Sequence, residues 1–271
     1  MNNFKTQFLG YLNTPSLFEK LNGLNQFELD IEETNKFDFT KLNISDNLPL
    51  GKRIERFFEF YINQSQNYEL IKSNIQIIHD KKTLGELDFL IFDKKQRKYM
   101  HIEHIYKYYL YDLSFINEID RFIGPNRDDS FAQKLTKLKE KQLPLLYKDE
   151  TKNYFDDIDT DAFEQKVCFK GNIYVPINLL GKEIPIINNS CIQGFYISYI
   201  EFIEQKYFKE FEYFLPPRSD WVSDCRLNKT WKSFDEVIDE IELFLQHKKS
   251  TLIWLKNEKE NKIQSFFITW W

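Results

Sequence analysis

Cysteine is scarce in this chain of 271 residues: Cys168, Cys191 and Cys225 stand far apart. No C-x-x-C pair exists, which excludes a zinc ribbon or a disulfide framework as the organising feature. The three thiols read as buried apolar groups of a reducing compartment. Glycine and proline number eight each, too few for long linkers or disorder. No apolar run reaches the roughly 18 residues of a membrane span. Met1-Asn2-Asn3-Phe4-Lys5 lacks the apolar stretch of a secretory signal, so a cytoplasmic protein without membrane contact is expected. Neither G-x-G-x-x-G nor G-x-x-x-x-G-K-[ST] occurs, which leaves nucleotide cradles unsupported. Basic excess is also missing: at a net charge of −5, any polyanion must be met by a local patch.

Aromatic residues are abundant, with 26 Phe and 15 Tyr. That bulk suffices for the core of one large domain, expected over 1–271. Its centre is expected over about 50–176, with an N-terminal helical extension over 1–49 and a C-terminal α+β elaboration over 177–271. Residues 3–48 read as short helices and loops, with Pro15 suited to a first helical position. Ile54, Phe57, Phe58 and Tyr61 form a stripe that predicts a helix over 50–63. Glu55 and Glu59 lie four apart on its flank. Three strands follow over 70–78, 84–92 and 100–110, then a helix over 130–146 and a strand over 167–176. A meander flanked by helices implies an α+β or mixed class and not a Rossmann fold. Beyond residue 177 the pattern predicts a partly helical stretch over 197–214, an amphipathic helix over 234–247 and a hairpin of 250–255 with 263–271.

The chemistry concentrates in Gly85-Glu86-Leu87-Asp88 and His101-Ile102-Glu103-His104-Ile105-Tyr106-Lys107. Side chains alternate along a strand, so Asp88 shares a face with Glu86, and Glu103 with Ile105 and Lys107. If the two strands are antiparallel neighbours, Asp88 and Glu103 converge on one cation with Lys107 close by. The other reading is a cross-strand salt bridge on a solvated face. His101 and His104 fall on opposite faces and H-x-E-H is not H-E-x-x-H, which speaks against a zinc hydrolase. Lys134, Lys137, Lys139 and Lys141 form either a solvated helix face or a phosphate-contact patch.

The layout resembles the PD-(D/E)XK nuclease superfamily, whose core runs helix, three-stranded meander, helix, strand. More closely, the chain resembles an uncharacterised bacterial family, domain of unknown function 1853. The residues that carry the resemblance are Tyr11-Leu12-Asn13-Thr14-Pro15-Ser16-Leu17, Gly51-Lys52-Arg53-Ile54-Glu55-Arg56, Gly85-Glu86-Leu87-Asp88, His101-Ile102-Glu103, Lys107-Tyr108-Tyr109-Leu110, Gly124-Pro125-Asn126, Lys134-Leu135 and Gln142-Leu143. It implies a restriction-endonuclease-like core with Asp88 and Glu103 as ligands of Mg²⁺ or Mn²⁺, Glu55 as an auxiliary helical acid and Lys107 as catalytic lysine. Gln142 would orient substrate or water. Two departures stand out: Leu87 replaces the proline of the motif, and Ile105 occupies the lysine position of E-x-K, two residues before Lys107. The function implied is Mg²⁺-dependent cleavage of DNA or RNA. The alternative is a nuclease-fold protein that binds nucleic acid or another partner without turnover.

Overall fold

Helix α1 spans Phe4–Asn13 and ends just before Thr14-Pro15, where the chain leaves the helical conformation. Pro15 therefore follows a helix and does not start one. A proline disfavours the α region in the residue before it, so helices stop ahead of X-Pro. The computed structural model describes residues 4–21, 23–155 and 158–271. The protein is mixed α+β and divides into two compact units, Met1–Tyr106 with Gln133–Lys170, and Lys107–Ala132 with Gly171–Trp271.

In the first unit, α2 covers Leu50–Gln64 and buries Ile54, Phe57, Phe58 and Tyr61, the predicted stripe. It is followed by strands β1 (Tyr68–His79), β2 (Lys82–Asp93) and β3 (Lys98–Tyr111). Both pairings are antiparallel. Helix α3 (Phe131–Lys137) runs into a π-helical turn, Leu138–Gln142, and then into the short α4 (Leu143–Leu145). Strand β4 (Phe163–Pro176) completes the order β1-β2-β3-β4. The expected strands are present, each longer by one to four residues at one or both ends. The helix expected over 130–146 is broken by the π turn.

The two faces of the β2–β3 pair are covered differently. On one, α2 lays Phe58 against Phe89 at 4.6 Å and against the His104 ring at 4.9 Å between centroids. On the other, Leu90 packs in a cluster with Leu145 and Leu146. Gly85 lets α4 approach this closely, because a Cβ there would meet Leu145 Cδ2 at 2.7 Å.

In the second unit, β5 (Ile192–Ser198) runs parallel to the end of β4. Helix α5 (Tyr199–Glu204) follows at once, started by a capping box of Ser198 and Glu201. Strand β6 (Glu212–Phe214), helix α6 (Phe234–Gln246), β7 (Thr251–Asn257) and β8 (Lys262–Thr269) complete it. β7 and β8 form the expected hairpin, and β8 lies parallel to β5. The apolar stripe of α6 buries Val237 and Ile241 against Phe202, Tyr213 and Phe266. Among the described residues no helix is long and apolar enough to cross a membrane.

Candidate carboxylate site

Register decides which side chains of β2 and β3 meet. Phe89 pairs with Ile102, and Asp88 and Glu103, the next residues outward on the two strands, are hydrogen-bonded to each other. The backbone N–H of His104 donates to Asp88 Oδ2 at 2.9 Å, which fixes the aspartate against β3. Glu103 has 0% exposure, while Asp88 is half-buried. The two acids expected to converge are adjacent.

Glu103 is held from two sides. His101, two residues back and so on the same face, places Nε2 at 3.0 Å from Oε1. The Gln142 amide donates to Oε2, and Gln142 Oε1 accepts from the Lys134 ammonium at 2.8 Å. A lysine and a glutamine eight residues apart on a regular α-helix would be out of line by about 80°. The wider π turn at Leu138–Gln142 takes up that difference and makes one arm of the two residues. Such turns cluster at functional sites.

Burial pushes the Asp88 carboxyl up to about 7, with the Glu103 charge adding to it and the His104 N–H opposing it. Burial likewise raises Glu103 to about 7, against the pull of Lys134, hydrogen bonding with Asp88, and Lys137. Two carboxylates in one desolvated place repel each other and retain a proton until a cation replaces it. The neighbouring imidazoles move the other way. Burial lowers His101 to about 4 and His104 to about 3, so both rings are neutral near pH 7.

The remaining candidates take other partners. Glu55, on α2, accepts from Lys52 at 2.6 Å, and Lys52 also reaches Glu86 at 3.6 Å. Lys107 belongs to the second unit, where its ammonium is bonded to Asp129. The cation joined to the carboxylate pair through hydrogen bonds is Lys134, which the sequence places in a lysine cluster and among the residues of the resemblance, without a catalytic role. His104 turns its ring away from Glu103, toward Phe58, and Nε2 meets the Tyr11 hydroxyl at 2.9 Å. The Tyr11–Thr14 segment thus serves the back of the sheet. Thr14 Oγ1 lies 3.0 Å from the Tyr106 hydroxyl.

A family model described as "Domain of unknown function (DUF1853)" matches residues 12–266. The chain belongs to that family. The match takes in Asp88, Glu103, Lys134 and Gln142 along with nearly all of both units. No curated protein and no solved structure matches it.

The donor set can be tested against the cation expected for it. Among the described residues no three His, Cys, Asp or Glu side chains are placed to hold a metal ion. Two carboxylates remain, with hard oxygen donors whose mutual repulsion Lys134 only partly offsets. Mg²⁺ keeps several waters and takes one or two carboxylates plus phosphate oxygens, so the pair fits Mg²⁺ or Mn²⁺. It does not fit zinc, which is usually four-coordinate with His or Cys ligands.

Proposed function

We propose that this chain is a metal-dependent phosphodiester hydrolase acting on nucleic acid, with a site of the PD-(D/E)XK kind on a restriction-endonuclease-like core. The observation that carries this reading is the Asp88–Glu103 pair, its glutamate fully buried, with the Lys134–Gln142 arm attached to it. Asp88 and Glu103 would hold Mg²⁺ or Mn²⁺. The ion supplies Lewis acidity toward the phosphate and an activated water. Gln142 keeps the Glu103 carboxylate turned to its task and holds the lysine beside it. The Lys134 ammonium offers positive charge where negative charge develops on the phosphate oxygens. In this reading Lys134 takes the role that the motif alone would give to Lys107. The positive field of Lys134 and Lys137 at Glu103 also supplies the local attraction for a polyanion that a net charge of −5 withholds.

The test is cleavage of single- and double-stranded DNA and RNA with Mg²⁺ or Mn²⁺, by wild type, Asp88→Asn and Glu103→Gln. Cleavage by wild type that chelation and either substitution abolish is the expected result. Equal cleavage by Asp88→Asn would assign the activity elsewhere. A second reading, binding without turnover, is favoured by Ile105 at the lysine position of E-x-K. Retarded nucleic acid without cleavage under every metal condition would select it.

A further inference from the structure

His101 is fully buried at 0% exposure beside Glu103, and its other ring nitrogen is not idle. Gln165, on β4, places Nε2 at 3.0 Å from His101 Nδ1 and donates from the same nitrogen to the Leu143 carbonyl at 2.7 Å. A carbonyl oxygen only accepts, so the group facing it is the amide NH₂. That NH₂ has no lone pair for an N–H, so His101 Nδ1 is the bare, accepting nitrogen. The ring proton of a neutral imidazole must then sit on Nε2, from which it donates to Glu103 Oε1. Gln165 thus donates both to the Leu143 carbonyl and to His101, His101 donates on to Glu103, and all four residues lie within one unit.

We propose that His101 and Gln165 are positioning residues that fix the Glu103 carboxylate for a divalent cation by locking the imidazole in its Nε2–H form. The proposal rests on the metal reading of the site and adds to it a specific outer arm. A carboxylate has about four lone-pair sites. His101 takes one on Oε1 and Gln142 one on Oε2; the Asp88 backbone takes another and the Asp88 carboxyl shares the last, which is the place a cation displacing the shared proton would take. Gln165 acts two bonds removed, since without it the ring can flip or change tautomer and present a lone pair to the carboxylate. Ligand carboxylates are commonly oriented by such outer partners, whose loss costs about 10–100-fold in metal affinity.

Two measurements test this. The first needs no metal: the ¹⁵N resonances of the His101 imidazole in wild type should show a protonated Nε2 and a bare Nδ1. The opposite tautomer, or an exchanging mixture, would overturn the lock. The second is the Mn²⁺ dissociation constant by titration calorimetry for wild type, His101→Phe, His101→Gln and Gln165→Met, with melting temperatures alongside. His101→Phe should weaken binding by about 10–100-fold. His101→Gln, which restores an N–H, should recover most of the loss. Gln165→Met keeps the ring, should weaken binding by about tenfold, and carries the test if His101→Phe does not fold. Folded variants with wild-type affinity would overturn the positioning role while leaving the metal site standing. A wild type that binds no Mn²⁺ would overturn both.

Discussion

Asp88 and Glu103 are hydrogen-bonded to each other just beyond the Phe89–Ile102 pair of two antiparallel strands, in a place where burial raises both carboxyls to about 7. In the unfolded chain such groups ionise near 4. Between about pH 4 and pH 7 the native state therefore binds more protons than the unfolded state, and metal-free stability falls as pH rises. The expected loss is of the order of a few kcal/mol. His101 and His104, lowered to about 4 and 3, act oppositely: the stability they contribute is present above about 6.5 and lost as pH falls. Comparing wild type with Asp88→Asn reports chiefly on the carboxylates: the His104 contribution is shared, and at His101 the Asp88 charge is second to burial. Urea unfolding from pH 4.5 to 7.5 should show Asp88→Asn gaining on wild type as pH rises. A constant difference across that range would contradict the paired burial.

The two lysines separate cleanly by experiment. Lys134 is bonded into the Glu103 arm, whereas Lys107 pairs with Asp129 at 35% and 37% exposure. Lys134→Met should lower single-turnover cleavage by about 10²-fold or more, with little change in melting temperature. Lys107→Met should leave cleavage within a few-fold and cost at most about 1 kcal/mol of stability, as an exposed ion pair does. The reverse ranking would return the catalytic role to Lys107.

Much of the first unit was legible because its periodicity is strong. The stripe Ile54, Phe57, Phe58, Tyr61 marks α2, and alternation around Leu87, Phe89 and Ile91 marks β2. The same alternation puts Asp88 and Glu103 on matching faces. The link from Lys134 to Gln142 was not legible, since their spacing is out of phase for an α-helix and only the π turn joins them. Gln165 was invisible for another reason: it lies 64 residues from His101 in sequence, and only tertiary packing brings them together. Pro15 misled because proline suits both a helix start and the residues after a helix end.

The aromatic packing behind the site carries a stability prediction. Phe58 is fully buried, with its ring on Phe89 and His104. Phe58→Ala should cost about 3–5 kcal/mol in urea unfolding. A loss under 1 kcal/mol would mean that α2 does not seat there.

The central claim is that the opposed carboxylates form a site for one divalent cation. Calorimetric titration of wild type with Mn²⁺ at pH 7, in two buffers of different ionisation enthalpy, tests it most directly. A cation that displaces the retained proton must release it to buffer. The prediction is one site per chain, a measured heat that depends on the buffer, and loss of binding in both Asp88→Asn and Glu103→Gln. Absence of binding, or binding that both substitutions leave unchanged, would contradict the account.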